Sequence, residues 1–283
     1  MKTSLSHLPD DRRAHINHCV QVIINYLKPN RIFLFGSYTS EKWEKDEELG
    51  KGINYRADID LVIIMNTESQ ITAKDIDKMM GRNIPLKINC LFQSELELEK
   101  ALFAGNFFFL ELQREAILLH DSEITTIPIA KRKLALETAE FLKMNYTHHY
   151  YRGRSWYEVA KLCLNSNHLI LATYQLREVS ENIYSAILLV FQGYIQPNCK
   201  IQDFYRLTKQ YSIRLAAVFP QNNKDEKHLF MLLQKSSTVG KYEKGSMITK
   251  HGVVILFNRI KELISIAEEI CMYKITATLH SNR

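Results

Sequence analysis

Two short motifs in the first half of the chain contain residue types that bind phosphate and metal. Gly36 and Ser37 follow the apolar run 31–35, and Asp58 and Asp60 open the next such run. Glycine permits a tight backbone turn, and a serine N–H and hydroxyl can bind a phosphate where a helix begins. Because residues i and i+2 of a strand point to one face, the two aspartates place their carboxylates side by side. Such carboxylates repel each other unless a cation lies between them, and oxygen ligands suit Mg²⁺. The pattern indicates a site for a magnesium-bound nucleoside triphosphate, in which the metal neutralises the phosphates.

The elements that must position these motifs follow from the hydrophobic pattern. Short β-branched runs predict strands over 31–35, 58–65 and 86–92, and helical spacing predicts helices over about 10–28, 73–80 and 94–104. The charged segment 41–57 contains two glycines and is interpreted as a loop or hairpin excursion. The alternation predicts an α/β domain with a mixed sheet over residues 1–128.

From residue 129 onward the apolar spacing indicates helices only. They are predicted near 130–150, 155–164, 168–192, 201–217, 225–240 and 249–275, with breaks marked by Gly193, Pro197, Pro220, Gly240 and Gly252. The chain is therefore expected to have two domains, an α/β domain over 1–128 and an all-α bundle over 129–283.

Charge and cysteine content narrow the class of protein. Residues 1–128 have a net charge of −4 and the remainder has +10, which suggests a polyanionic partner for the second half or a set of solvated helix faces. Five scattered cysteines without a CxxC pair exclude a disulfide scaffold and a structural zinc site. The first residues lack the apolar core of a secretory signal, and the apolar stretches are too short to span a membrane. A cytoplasmic protein without membrane contact is expected.

The strand–Gly36-Ser37–helix pattern, followed by Asp58-Ile59-Asp60 on the next strand, resembles the nucleotidyltransferase superfamily in its small kanamycin-nucleotidyltransferase-like branch. Residues 94–121 are similar to the tail of that branch, so the resemblance covers most of 30–121. It implies Mg²⁺-dependent transfer of a nucleotidyl group, AMP from ATP, to a hydroxyl on a small molecule, RNA or protein. It also implies that Asp58 and Asp60 hold Mg²⁺ and that Gly36 and Ser37 hold the nucleotide phosphates.

The chain departs from that family at two places. The position of the family's third carboxylate is Asn89, whose amide oxygen can ligate a metal but cannot act as a base. Relatives have an arginine soon after the Gly-Ser pair, where this chain has Ser40, and Lys42 is a partial replacement for that cation. An acid of the helical domain, Glu137 or Glu140, is a candidate for the missing carboxylate.

The segment 174–194 resembles the central long helix of the HEPN helical domain. The match includes Glu181, Tyr184, the LLVF sequence of 188–191 and Gly193-Tyr194. It implies a HEPN-like bundle over 129–283 and a homodimer formed through the long helices. Ribonucleases of that family use an Arg-x(4–6)-His motif, but no histidine follows Arg177 at that spacing, so this activity is not expected.

A polar stripe and a mixed aromatic–basic segment are the other candidate sites of the second half. Arg177, Glu181 and Tyr184 share one helix face at spacings of four and three. They predict a wall of a nucleotide pocket or an Arg177–Glu181 pair on a buried or dimer-facing surface. Residues 148–154 (HHYYRGR) combine aromatic rings with cations, as nucleic-acid surfaces do, but cations are also favoured at the helix end predicted there.

Two functions remain open from the sequence. The first is a nucleotidyltransferase that uses Asp58 and Asp60. The second is a regulatory protein in which a degenerate nucleotidyltransferase-like domain senses nucleotide and a HEPN-like module binds RNA or dimerises. The Gly-Ser and Asp-x-Asp motifs and the fused helical domain support the first, with catalysis weakened by Asn89, whereas Asn89, Ser40 and the missing ribonuclease motif support the second.

Overall fold

The computed structural model describes residues 2–49, 51, 57–66, 71, 73–80, 86–122, 135–195, 199–236 and 248–280. These residues divide into two compact units. The last described residue of the first unit's main segment is 122, and the first described residue of the second unit is 135. The predicted boundary between 128 and 129 lies outside the described residues. The first unit combines helices with a sheet and the second is helical, as the sequence predicts.

The described part of the first unit contains one four-stranded mixed sheet. Its strands are β1 (Arg31–Phe35), β2 (Ile59–Met65), β3 (Ile88–Ser94) and β4 (Ile117–Asp121). Its helices are α1 (Asp10–Leu27), α2 (Lys42–Leu49), α3 (Ala73–Met80), α4 (Glu95–Phe103) and α5 (Phe107–Glu115). The sheet order is β3-β2-β1-β4, in which β1 is antiparallel to β2 and β4, and β2 is parallel to β3.

Both faces of the sheet are covered. Alternate residues of the strands, among them Leu34, Leu61 and Ile63, pack with Ile16 and Ile23 of α1 in one core cluster. The other face is closed by α4 and α5, which supply a second set of buried side chains: Leu98, Leu102, Phe107, Phe108, Phe109 and Leu112. Burial on both sides explains why β2 has a continuous apolar sequence from Leu61 to Ile64.

An ion cluster around the buried Arg31 side chain joins three elements of the first unit. Arg31, at the start of β1, is only 1% exposed, and its guanidinium lies 2.7 Å from Glu95 and 3.3 Å from Asp121. Because Arg31 is on β1, Glu95 on α4 and Asp121 on β4, the cluster links these three elements, and losing either acid would leave the buried guanidinium with less compensation of its charge.

The prediction of a loop or hairpin over 41–57 is wrong for its first part. Residues 42–49 form α2, while 52–56 lie outside the described residues. The helix forms because Trp43 and Glu47, one turn apart, both have partners in this unit. The Trp43 ring stacks on Tyr38 at a centroid distance of 5.7 Å, and Glu47 accepts hydrogen bonds from Arg12 and Ala57.

The described residues of the second unit form six helices. They are α6 (Ala135–Asn165), α7 (Leu169–Phe191), α8 (Ile201–Thr208), α9 (Ile213–Val218), α10 (Lys224–Lys235) and α11 (Lys250–His280). Gly193 and Pro220 lie at breaks, as predicted, and Pro197 and Gly240 lie outside the described residues. The break at Gly252 is wrong because α11 continues through it. The helix predicted over 201–217 is two helices.

The break predicted between 150 and 155 is also wrong, because α6 runs without interruption through Gly153. A Cβ atom at this position would lie 2.8 Å from Ile183 Cδ1 of α7, closer than normal van der Waals contact. The glycine therefore permits a close approach of α6 and α7 instead of ending a helix. Helix α7 is buried on most of its surface, including Ile183 and Ile187.

No helix in the described ranges is both long and apolar enough to cross a lipid bilayer.

The close approach can be tested with Gly153→Ala and Ile183→Val, since valine lacks the Cδ1 atom that the new methyl meets. We expect the free energy of unfolding of the double variant to exceed, by about 0.5–3 kcal/mol, the value obtained by adding the effects of the two single substitutions. Urea unfolding is followed by the fluorescence of Trp156 in a Trp43→Phe background, because the chain has two tryptophans.

The control cycle combines Gly252→Ala with Ile183→Val. A Cβ at Gly252 meets Thr249 and Leu229 at 3.3 and 3.4 Å, and Ile183 is not among these neighbours, so additive changes are expected. Additivity in the Gly153 cycle as well would contradict the proposed contact.

Candidate functional site

Neighbouring strands bring the predicted site residues of the first unit together. Phe35 pairs with Asp60 across β1 and β2, and Asp60 pairs with Asn89 across β2 and β3. Directly opposite residues point to the same face of a sheet. Asp60 and Asn89 therefore share a face with Phe35, whose ring contacts Phe108 of α5 at a centroid distance of 5.7 Å. The predicted carboxylates lie near one end of the strands, on the face covered by α4 and α5.

The two aspartates converge on one amide nitrogen. Asn89 Nδ2 donates to Asp60 Oδ1 at 2.7 Å and to Asp58 Oδ2 at 3.3 Å. Asp58, Asp60 and Asn89 are 7%, 1% and 2% exposed. The expectation that Asp58 and Asp60 present neighbouring carboxylates is confirmed by this geometry, with the amide of Asn89 bridging them.

The Gly36–Ser37 turn follows β1 directly. Gly36 has a φ of 77°, in the left-handed region that favours glycine, and a short 3₁₀ helix runs over Gly36–Thr39. Ser37 is 3% exposed, and its hydroxyl has no hydrogen-bond partner among the residues that the structure describes. Because β1 ends at Phe35, opposite Asp60, the turn lies near the start of β2. A buried hydroxyl without a partner is costly, and a bound phosphate or metal-bound water would satisfy it.

Glu47 of α2 forms a hydrogen bond with the backbone of Ala57, the residue immediately before Asp58. Its Oε1 accepts the Ala57 N–H at 3.1 Å and lies 3.5 Å from the Tyr38 hydroxyl. Its Oε2 accepts from Arg12 of α1 at 3.1 Å, and this ion pair is largely sheltered from solvent. One carboxylate thus ties together α1, α2, the residue after the Gly36–Ser37 turn and the entrance to β2.

Sequence reasoning missed Glu47 because the segment around it was interpreted as a loop. The signal that could have identified it is the spacing of Trp43 and Glu47, which places an aromatic ring and a carboxylate on one helix face. Lys42, a predicted phosphate ligand, is the first residue of α2, and the structure describes only its backbone.

The residues near the start of β2 match Mg²⁺ in donor type. Two carboxylates, the amide oxygen of Asn89 and the Ser37 hydroxyl are all hard oxygen donors. The number of acidic side chains, two, is low for a metal centre. Within the described part of the chain, no group of three or more His, Cys, Asp or Glu side chains could hold a metal ion. Glu137 and Glu140 lie exposed on α6, and their role as a third carboxylate stays a prediction.

The polar stripe of α7 is divided between two environments. Arg177 and Glu181 form an intrahelical ion pair and are both partly sheltered from solvent. Burial raises the pKa of the Glu181 carboxyl, against the opposing effect of Arg177. Tyr184 is fully buried, and its hydroxyl lacks a hydrogen-bond partner within the described ranges. The pair that was predicted as one of two alternatives is present, and Tyr184 lies in the helical core.

The aromatic–basic segment lies in the middle of α6, so the predicted helix end is wrong. Tyr150 donates to Glu268 of α11 at 2.7 Å and is buried. Its neighbour Tyr151 is 63% exposed, and Arg152 and Arg154 are exposed as well. A cation-rich stretch in a helix interior is not explained by the attraction of cations to a helix C-terminus, which acts only over the last turn.

No model of a known protein family matches the chain, and no curated protein is significantly similar to it.

The role of Glu47 can be tested with Glu47→Ala. Losing the acceptor of the Ala57 N–H and the partner of Arg12 should lower the free energy of unfolding of the first unit by about 1–3 kcal/mol. Urea unfolding followed by Trp43 fluorescence in a Trp156→Phe background measures it. Glu44→Ala, on an exposed face of the same helix, is the control and should change stability by less than about 0.5 kcal/mol. Equal effects of the two substitutions would contradict the role of Glu47.

Proposed function

We propose that the chain is a Mg²⁺-dependent nucleotidyltransferase that transfers AMP from ATP to a hydroxyl acceptor, either RNA or a small molecule. In this proposal the first unit is nucleotidyltransferase-like and the second is HEPN-like. The observation that carries it is the convergence of the Asp58 and Asp60 carboxylates, beside a glycine turn that contains a buried serine hydroxyl without a described partner.

Each residue of the candidate site would have a role that follows from its functional group. Asp58 and Asp60 would hold the metal, with Asn89 able to add a neutral amide oxygen. Gly36 leaves space for close approach of a phosphate, and Ser37 can donate its hydroxyl to a phosphate oxygen. Bound magnesium would neutralise negative charge on the triphosphate. In the reaction the acceptor oxygen bonds to the α-phosphorus, pyrophosphate leaves, and the hydroxyl proton is released.

The binding step can be tested by calorimetry with ATP, in the presence and absence of Mg²⁺. Binding should require Mg²⁺ and should weaken by at least about tenfold in Asp58→Asn/Asp60→Asn, because the two carboxylates are the charged ligands. Asp10→Asn/Asp11→Asn removes two exposed acids of the same unit and should bind normally. Binding that is equal in all three proteins would place the nucleotide elsewhere, and its absence from the native chain would overturn the proposal.

The transfer step is measured with α-labelled ATP and two acceptor classes, single-stranded RNA and small polyhydroxylated molecules. Label on an acceptor that disappears with Asp60→Asn would support the proposal. Binding of Mg²⁺ and ATP without transfer to either acceptor class would instead favour a nucleotide-sensing protein.

A second candidate function, RNA binding by the helical unit, is favoured by the exposed face of α6. Residues 143–161 contain four Lys and Arg residues against a single acidic one, Glu158. Tyr151 is 63% exposed, and the exposed Arg154, three residues further on, lies on the same side of the helix. Aromatic rings next to cations bind single strands by stacking and charge. This function requires no catalysis at Asp60, and pairing of two copies through the helices stays a prediction.

The RNA hypothesis can be tested by fluorescence anisotropy with a labelled single-stranded RNA. Arg154→Gln/Lys161→Gln removes two exposed cations from one side of α6 and should weaken binding and reduce its salt dependence, because each phosphate contact releases counterions. Lys224→Gln/Lys227→Gln, exposed cations of α10, is the matched control and should leave affinity nearly unchanged. Binding that does not weaken with salt, or that weakens equally in both variants, would contradict this use of α6.

A further inference from the structure

The amide nitrogen of Asn89 lies between two buried carboxylates. It donates to Asp60 at 2.7 Å and to Asp58 at 3.3 Å. The amide oxygen of the same side chain is buried and accepts no hydrogen bond from any residue in the described part of the chain. The side chain is thus oriented entirely by its contacts on the nitrogen side.

This orientation has an electrostatic reason. Only the NH₂ group of an amide can face two carboxylates favourably, because the amide oxygen would be repelled by both. Two carboxylates in a buried site repel each other strongly, since the low effective dielectric of the interior does not screen them as water does. The two N–H groups of Asn89 supply positive partial charge between the two carboxylates.

We propose that Asn89 is an amide latch. In the metal-free chain it holds Asp58 and Asp60 together, and for a cation to bind its amide must turn about the Cβ–Cγ bond, so that the nitrogen leaves and the unused oxygen faces the cation. Asn89 then determines the cation affinity of the site, because the cation displaces two hydrogen bonds before it binds. The inference about the cation rests on the proposed function, whereas the inference about the metal-free pair does not.

The metal-free part is tested by a double-mutant cycle in EDTA. Asn89→Leu has nearly the same size but no donor, and should lower the Tm of the first unit by about 5 °C or more, because the two carboxylates then lose the N–H groups that bridge them. Adding Asp60→Asn to Asn89→Leu removes one charge and should restore most of the loss. The Tm is followed by Trp43 fluorescence in a Trp156→Phe background.

Gln93→Leu is the matched control for this cycle. Gln93 is also a buried amide on β3 and lies four residues beyond Asn89, on the same face of the strand. It pairs with Ile64 of β2, whereas Asn89 pairs with Asp60, so Asp60→Asn should not rescue Gln93→Leu. Equal coupling of Asp60→Asn to both substitutions, or no coupling to Asn89→Leu, would overturn the latch.

The cation part is tested by calorimetric titration with Mg²⁺ alone. Asn89→Asp removes the competing donor and adds a charge, so it should bind Mg²⁺ at least about tenfold more tightly than the native chain, although its Tm in EDTA is lower. Tighter Mg²⁺ binding together with the lower metal-free Tm supports the proposal. If the native chain binds Mg²⁺ and Asn89→Asp binds it no more tightly, the inference about affinity is overturned.

The two proposals fail in different ways. If neither the native chain nor Asn89→Asp binds Mg²⁺, alone or together with ATP, the proposed function is wrong, and the cycle in EDTA still decides whether the amide holds the carboxylates. If Mg²⁺ binds but the cycle shows no coupling, the latch is wrong and the metal site stands.

Discussion

The first unit depends on the neutralisation of two carboxylates that its sheet buries. Asp60 pairs directly with Asn89 in the parallel register of β2 and β3, so the strand pairing that forms the core also places an amide against a charge. Unpaired buried charges cost several kcal/mol, whereas charge-assisted hydrogen bonds offset much of that cost. The register of β2 and β3 therefore determines both the packing of the core and which side chains meet in the candidate site.

The elements around this pair limit its movement. The strand that carries Asp60 is buried on both faces, and the Ala57 N–H just before it is held by Glu47. Glu47 is held in turn by Arg12, whose guanidinium also lies over the Trp43 ring at 5.5 Å. A site on such a support is already organised before a ligand arrives, which lowers the entropy cost of binding. In the proposed function, a cation must still displace the Asn89 amide.

The helical unit is stabilised by burial of apolar side chains between closely packed helices. It keeps most of α7 inside and places its positive charge on outer surfaces, such as the exposed side of α6. The close approach at Gly153 puts α6 against Ile183, so a residue that usually marks a break instead allows tight packing. Tyr184 shows the limit of face assignments by spacing, since on a helix surrounded by neighbours even a polar stripe is partly buried.

The sequence by itself determined the elements whose local signal agrees with their environment. The apolar runs of β1 and β2 and the i, i+2 spacing of Asp58 and Asp60 need no tertiary information, because strand geometry alone puts those carboxylates on one face. The tertiary structure alone decided what lies between them. The Asn89 contact depends on the register of a distant strand, and α2 depends on partners of Glu47 that are remote in sequence. Local propensity contains no information about such partners, because their free energy arises only when separate segments pack together.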